Sequence, residues 1–123
     1  MTTDRALHEI DHGKKLAALG AEDVWGWGSA AGQLRARRRA ELILRGAELG
    51  PGMKALEIGC GTGLFTRMFA ESGAEIVAVD ISGELLEEAR KRGLPPDRVR
   101  FVEMRFEDSD IHGPFDAVVS VSP

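Results

Sequence analysis

The centre of the chain reads Leu56-Glu57-Ile58-Gly59-Cys60-Gly61-Thr62-Gly63. This stretch ends a short apolar run and precedes residues 64–70, whose apolar side chains recur at helical spacing. The turn signal Gly50-Pro51-Gly52 bounds the apolar run upstream, and Gly73 is a stop signal for the helix. We therefore predict a strand from Met53 to Ile58, a glycine-rich ligand loop, and a helix from Leu64 to Ala70.

The spacing of the glycines in this loop distinguishes two classes of ligand. A dinucleotide-binding turn follows the pattern G-x-G-x-x-G, whose glycines allow the backbone to approach the pyrophosphate. Here Gly63 comes one residue early, and Leu64 occupies the position where that pattern has a small residue. The spacing disfavours a pyrophosphate ligand. The acidic Glu57, at the end of a buried strand, indicates instead a partner that carries hydrogen-bond donors, such as an ammonium group.

A second acidic residue ends the next predicted strand. Residues 74–79 are apolar except for Glu75, and Asp80 follows them. In nucleotide-binding α/β folds, an acidic residue about 20 positions after the glycine loop accepts hydrogen bonds from the ribose hydroxyls. Taken alone, Asp80 can instead be a partner for the N-terminus of the helix that follows. Its offset from Gly59 favours the ribose role.

The rest of the chain continues the alternation of strands and helices. Ser82 predicts the N-cap of a helix over residues 83–92. Residues 99–102 predict a third strand, and residues 115–121 a fourth that is apolar on both faces, as expected for a parallel strand covered by helices. The pattern predicts an α/β fold with a doubly wound parallel sheet and a ligand outside the carboxyl ends of its strands.

Three motifs together resemble the class I S-adenosylmethionine-dependent methyltransferases over residues 50–120. An acidic residue before a G-x-G-x-G loop is similar to their first motif. Their second-strand and fourth-strand motifs resemble Val77-Ala78-Val79-Asp80-Ile81-Ser82 and Phe115-Asp116-Ala117-Val118-Val119-Ser120. The resemblance implies a Rossmann-like methyltransferase fold, S-adenosyl-L-methionine as cofactor, and an enzyme that transfers a methyl group to a small-molecule acceptor.

The resemblance also implies a set of cofactor-binding residues. Glu57 would face the methionine amino group, Asp80 would hold the ribose, and the loop glycines would let the backbone approach the donor. Phe106 and Glu107 are candidates for contact with adenine, and Ser120 for the methyl-donor end of the site. The full set is Glu57, Gly59, Cys60, Gly61, Gly63, Asp80, Ile81, Phe106, Glu107 and Ser120.

Two departures from the family pattern bear on these roles. Arg105 stands where many members have an acidic residue that accepts from adenine, so Glu107 or Asp108 would have to supply the acceptor. The alternative is that the acidic residues at 107, 108 and 110 form a solvated loop. The N-methyltransferases that act on bases or proteins often carry Asn-Pro-Pro-aromatic after the fourth strand. Residues 120–123 read SVSP, which disfavours that acceptor class. No catalytic residue is predicted, because an activated sulfonium chiefly requires a well-positioned acceptor.

The sequence pattern divides the chain into a helical arm, residues 1–50, and a partial cofactor-binding α/β domain, residues 51–123. A full sheet of this family continues past the fourth strand, whereas this sequence stops there. An exposed apolar edge invites pairing with another chain. We therefore expect either a fragment of a longer protein or a homo-oligomer that covers the edge of the fourth strand.

Composition limits the partners and the chemistry. The formal charge of −4 disfavours nucleic acid as a partner, and the absence of a long apolar segment predicts a cytoplasmic protein without membrane contact. Cys60 is the only cysteine, which we interpret as a small side chain in the loop rather than a nucleophile. His8, His12 and His112 show no metal-ligand pattern, so no metal site is predicted, and the first two are interpreted as a surface pair.

The arm contains both tryptophans of the chain. We predict helices over Asp4–Leu19 and Gln33–Glu48, separated by a glycine-rich segment that carries Trp25 and Trp27. The resemblance implies that such an arm forms a lid over the cofactor. The alternative is that the tryptophans anchor the arm to the core.

Two other functions are alternatives to a methyltransferase. The first is an inactive cofactor-binding or interaction module. The second is a nicotinamide-dependent oxidoreductase, which the glycine spacing disfavours.

Overall fold

The computed structural model describes residues 4–20, 22, 26–104, 111 and 113–121. Its helices are α1 (Asp4–Leu19), α2 (Ala30–Ala47), α3 (Leu64–Ala70) and α4 (Gly83–Arg90). Its strands are β1 (Lys54–Ile58), β2 (Glu75–Asp80), β3 (Val99–Glu103) and β4 (Ala117–Ser120). From β1 onward, each of the first two strands is followed by a helix, which is the alternation expected of a parallel α/β sheet.

The four strands form one parallel sheet in the order β3-β2-β1-β4. Ile58 at the end of β1 pairs with Val79 on one side and with Ser120 on the other. The carboxyl ends of these strands therefore meet at one edge of the sheet. The chain adds β2 and β3 on one side of β1 and then returns to place β4 on the other side. This order confirms the predicted doubly wound sheet and puts its switch point, where ligands bind in such folds, beside β1.

The second helix begins earlier than the sequence predicts. A start at Gln33 was wrong, because the Ser29 hydroxyl accepts a hydrogen bond from the Gly32 N–H at 3.0 Å and caps a helix that begins at Ala30. Gly32 therefore lies inside the helix. A Cβ atom there would lie 2.0 Å from the Gly26 carbonyl oxygen, so the position requires glycine for close packing rather than for a turn.

The core lies between the sheet and its helices. Phe69 of α3, Ile76 of β2 and Leu86 of α4 are among its fully buried side chains. Trp27 joins the same cluster through an edge-to-face contact with Phe65, whose ring centroid is 5.5 Å away. This packing supports the anchoring role for Trp27, while Trp25 lies outside the described residues.

β4 forms an edge of the described sheet, where it pairs with β1. Val119 is buried, but Val118 on the opposite face is 62% exposed. The apolar pattern predicted helices over both faces, and in the described part of the chain one face is left open. Separately, none of the described helices has the length and apolar character needed to cross a bilayer.

We expect the Phe69→Ala substitution to lower the free energy of unfolding by about 3 to 5 kcal/mol, because it empties a fully enclosed site that the surrounding helices and sheet cannot fill. Urea denaturation followed by circular dichroism measures the change. The matched control is Leu34→Ala, at a side chain that is 73% exposed, which should shift stability by less than about 0.5 kcal/mol. Equal effects of the two substitutions would contradict the assigned core.

Candidate functional site

The loop after β1 is tied to the end of β2. The N–H groups of Gly59 and Cys60 both donate to the Val79 carbonyl oxygen, at 2.8 and 3.0 Å. Gly59, Gly61 and Gly63 have φ angles of 73°, 54° and 80°, a conformation that side-chain-bearing residues rarely adopt. The predicted glycine loop is therefore a sharp turn whose course depends on glycine at these positions.

Asp80 joins the loop to the next helix. One carboxylate oxygen accepts from the Gly61 N–H and the other from the Ser82 N–H, each at 2.9 Å. The Ser82 hydroxyl in turn accepts from the Leu85 N–H at 3.2 Å and caps α4. Burial raises the pKa of Asp80, and the hydrogen bonds from Ser82 and Gly61 oppose that shift. Because each carboxylate oxygen has two acceptor sites, the Asp80 carboxylate keeps acceptor capacity for a ligand hydroxyl.

Glu57 lies deeper than Asp80 in the same region. Its side chain is 2% exposed and accepts a hydrogen bond from the Thr66 hydroxyl of α3. Burial raises the pKa of Glu57 from 4.5 to about 7; the Thr66 hydrogen bond lowers it and the charge of Asp80 raises it. A cationic group beside Glu57 would stabilise the ionised form that burial disfavours.

These residues line a cavity of about 310 Å³ outside the carboxyl ends of β1 and β2. Its volume lies near the lower end of the roughly 300–1,000 Å³ range of small-molecule sites. The wall is formed by β1 and the glycine loop, the end of β2, the apolar faces of α3 and α4, the arm, and the segment after β4. The lining residues are Glu9, His12, Gly13, Trp27, Glu57, Gly59, Cys60, Gly61, Thr62, Leu64, Phe65, Asp80, Ile81, Ser82, Leu85 and Val121.

Six of the predicted cofactor-binding residues share this cavity. They are Glu57, Gly59, Cys60, Gly61, Asp80 and Ile81. No neighbouring atom lies within 4 Å of the position that a Cβ would take on Gly59, so the backbone there is open to close approach. The structure thus brings together the loop and both acids, and their roles toward a cofactor stay predictions.

The remaining predicted residues lie elsewhere. A Cβ on Gly63 would lie 3.1 Å from the Ala89 Cβ, so this glycine serves the packing of the loop against α4. Ser120 is exposed, and its hydroxyl donates to the Ile58 carbonyl oxygen at 3.1 Å; the next residue, Val121, is the one that lines the cavity. Phe106 and Glu107 lie outside the described residues.

Cys60 is buried in the loop. Burial raises the pKa of its thiol far above the usual range, and the nearby carboxylates of Glu57 and Asp80 add to that shift. The thiol therefore stays protonated, whereas the thiolate is the nucleophilic form of cysteine. This environment supports the interpretation of Cys60 as a small side chain rather than a nucleophile.

Sequence reasoning missed the contribution of α1 to the site. Glu9, His12 and Gly13 all line the cavity. The interpretation of His12 as one of a surface pair did not predict that it lies beside the site. A Cβ on Gly13 would lie 2.3 Å from the Ser82 hydroxyl oxygen, which shows how closely α1 approaches the cap of α4. The available signal was Gly13 itself, because a glycine inside a helix costs about 1 kcal/mol relative to alanine and often marks close packing.

Comparison with known proteins identifies the family. Residues 55–123 match the family described as the methyltransferase domain. The mitochondrial ubiquinone biosynthesis O-methyltransferase of Schizosaccharomyces pombe is 30% identical over 122 residues, which cover 92% of this chain and 43% of that protein. The magnesium-protoporphyrin O-methyltransferase of Rhodobacter capsulatus is 40% identical over 86 residues, 68% of this chain and 38% of that protein.

A solved structure has the same fold. The magnesium protoporphyrin IX methyltransferase of Synechocystis with bound S-adenosylmethionine superposes with a TM-score of 0.68 at 18% identity, over 97% of this chain and 62% of that one. The similarity at this level of identity concerns the fold. The chain spans less than half the length of the two curated relatives.

The raised pKa of Glu57 predicts how stability depends on pH. Between about pH 4.5 and pH 7 the unfolded chain loses a proton that the folded protein keeps, so the free energy of unfolding falls as the pH rises and then levels off. At about 1.36 kcal/mol per pKa unit, the full loss is on the order of 3 kcal/mol. Asp80, whose pKa is also raised, acts in the same direction.

Urea denaturation across this pH range measures the slope. Glu57→Gln keeps the acceptor for Thr66 and removes the titrating group, so most of the decline should disappear in that variant. A matched change at the exposed Glu88, Glu88→Gln, should leave the decline in place. A wild-type protein whose stability rises over the same range would overturn the assignment of a buried, protonated Glu57.

Proposed function

The chain belongs to the methyltransferase domain family, and we propose that it binds S-adenosylmethionine in the cavity outside β1 and β2 and takes part in methyl transfer to a small-molecule acceptor. The observation that carries the proposal is that one cavity contains the glycine loop, the buried carboxylate of Glu57 and the carboxylate of Asp80. The bound S-adenosylmethionine of the Synechocystis structure supports the same cofactor for this chain.

The residues of the cavity fit the parts of this cofactor. The carboxylate of Asp80 is held by backbone N–H groups and keeps acceptor capacity for a ribose hydroxyl. Glu57, buried and lacking solvent to stabilise its charge, suits an ammonium group. Phe65, Ile81 and Leu85 supply apolar surface to the same cavity, as the nucleoside requires.

The chemistry requires positioning more than side-chain catalysis. S-adenosylmethionine, when bound, supplies a methyl group that is already activated by the sulfonium. The residues of this chain bind and orient it and exclude water from the cavity, while the acceptor must be held at about 3 to 3.5 Å from the methyl carbon. Glu9, His12 and Trp27 form the arm side of the wall and are the described side chains best placed to meet an acceptor.

The small-molecule acceptor rests on the two curated relatives, which are named for ubiquinone biosynthesis and for magnesium-protoporphyrin. A cytoplasmic location and an acceptor other than nucleic acid stay predictions that rest on the composition and on the net charge of −4.

A second candidate is a binding module without activity of its own. In the described part of the chain β4 is an edge strand and Val118 on it is 62% exposed, so this strand is open to a binding partner. We take a second copy of this chain as that partner, paired along the β4 edge, because an unpaired strand presents N–H and C=O groups to a neighbouring chain.

Isothermal titration with S-adenosylhomocysteine tests the cofactor. The wild-type protein should bind it, and NAD should give no heat. Asp80→Asn should weaken binding by about 1 to 3 kcal/mol, since an amide replaces the charged acceptor of the ribose hydroxyls. The control is Asp116→Asn, because Asp116 also accepts a backbone N–H, that of Lys54 at 2.8 Å, but at the opposite end of the sheet. Unchanged affinity in Asp80→Asn would refute the ribose role.

Light scattering after size exclusion tests the second copy. We expect the wild-type protein to have twice the monomer mass at high concentration and the Val118→Lys variant to be monomeric, since lysine on an edge strand opposes pairing. Leu34→Lys, at a side chain of α2 that is 73% exposed, is the matched control and should leave the mass unchanged. A monomeric wild-type protein at every concentration would rule out self-pairing.

A further inference from the structure

Three polar residues connect the arm to the glycine loop. The Glu22 carboxylate, in the arm, accepts from the Thr62 hydroxyl at 3.0 Å and from the Arg92 guanidinium. Arg92, just beyond α4, also donates through its Nε to the Thr62 carbonyl oxygen at 2.7 Å. The three residues therefore form a closed set of hydrogen bonds among the arm, the loop and the end of α4, which we call the arm latch.

The arm latch is partly withdrawn from solvent. The side chains of Arg92 and Glu22 are 21% and 30% exposed, and burial lowers the pKa of Arg92. The neighbouring ion pair of Lys91 and Glu88 is 70% and 46% exposed. Exposed pairs of that kind contribute little, whereas removing one partner of a buried pair leaves an uncompensated charge. The ion pair of Glu22 and Arg92 is therefore less screened by solvent than the pair of Lys91 and Glu88.

The arm latch also reaches the cavity wall. Thr62 lines the cavity, and the Glu22 carbonyl oxygen accepts from the Trp27 N–H at 2.8 Å. Trp27 packs against Phe65, and both rings line the cavity. Glu22 thus contacts two residues of the wall, Thr62 and Trp27, although it does not line the cavity itself.

The contacts of the arm divide it into two parts. The carbonyl oxygens of Gly26 and Trp27 are held by Arg35 and Gln33 of α2, so this part stays with α2. On the other side, α1 packs on α4, with Gly13 against Ser82. Glu22 lies in the chain between these two parts, three residues after the end of α1, and its bonds connect that point of the chain to Thr62 and Arg92.

We propose that Glu22, Thr62 and Arg92 hold α1 closed over the cavity and so set the rate at which a bound nucleoside leaves. Glu22 acts as a positioning residue, because it connects the chain three residues after α1 to Thr62 of the loop and to Arg92 beyond α4. Because Glu9, His12 and Gly13 form one side of the wall, displacement of α1 opens the cavity. The identity of the ligand rests on the proposed function, whereas the closure of α1 does not.

Two measurements on the full chain test this proposal. Hydrogen–deuterium exchange of the ligand-free protein reports the closure of α1 and the loop, and stopped-flow displacement reports the dissociation rate of S-adenosylhomocysteine. In Glu22→Ala we expect exchange in residues 4–20 and 59–63 and the dissociation rate to rise about tenfold, the size expected from the loss of charged hydrogen bonds. Glu22→Gln, which keeps an acceptor for Thr62, should give an intermediate increase in both.

A double substitution and a control make the test specific. Thr62→Val combined with Glu22→Ala should raise exchange in α1 by less than the sum of the two separate effects, because both remove the same contact. Glu88→Gln breaks the exposed ion pair beside Arg92 and should change neither measurement.

The outcomes separate the closure from the ligand. If the wild-type protein fails to bind S-adenosylhomocysteine while exchange in α1 rises in Glu22→Ala, the arm latch stands and the proposed ligand is wrong. Suppose instead that the wild-type protein binds the ligand. If the ligand then dissociates from Glu22→Gln and Glu22→Ala at the wild-type rate, and exchange in α1 is unchanged in both, the arm latch is refuted. A faster dissociation without faster exchange in α1 also overturns it, since Glu22 then acts on the loop alone.

Discussion

The hydrogen bond from the Gly61 N–H to the Asp80 carboxylate, 2.9 Å long, fixes the geometry on which the site depends. It joins two elements that lie 19 residues apart, and it forms because β1 and β2 are parallel neighbours with Ile58 paired to Val79. The same carboxylate holds the start of α4 through the Ser82 N–H. One side chain therefore sets the distance between the loop, the end of β2 and the helix that follows.

The parts of the fold that the sequence predicted are those fixed by local pattern. The apolar runs, the glycine loop and the offset from Gly59 to Asp80 are visible along the chain, and they determine the sheet. The contacts of the arm are not visible in this way, because Glu22 and Arg92 meet across 70 residues. The sequence alone does not distinguish a solvated charged residue from one that pairs with a residue far along the chain. The predicted start of α2 was wrong for a related reason, because the glycine at position 32 is required by helix packing and not by a turn.

The charge of the cavity is a second criterion for its ligand, independent of glycine spacing. Burial raises the pKa of both Glu57 and Asp80, and a cation beside them would stabilise their ionised forms. A pyrophosphate would add negative charge beside these groups, whereas an ammonium or a sulfonium would offset theirs. The electrostatics and the early position of Gly63 thus agree in favouring a cationic nucleoside over a dinucleotide. Neither observation depends on the other, since one concerns burial and the other the course of the backbone.

The two halves of the proposed activity depend on different parts of the chain. The residues proposed to hold the nucleoside come from β1, β2 and their loops, which lie inside the sheet and pack on α3 and α4. In the described part of the chain, the segment after β4 contributes Val121 to the cavity, from the edge that is still open. The proposed nucleoside contacts therefore come mainly from inside the sheet, although Val121 reaches the same cavity from the β4 edge. In this proposal, cofactor binding needs the contacts from β1 and β2, whereas transfer also needs the arm side of the wall, so binding and transfer are separable properties.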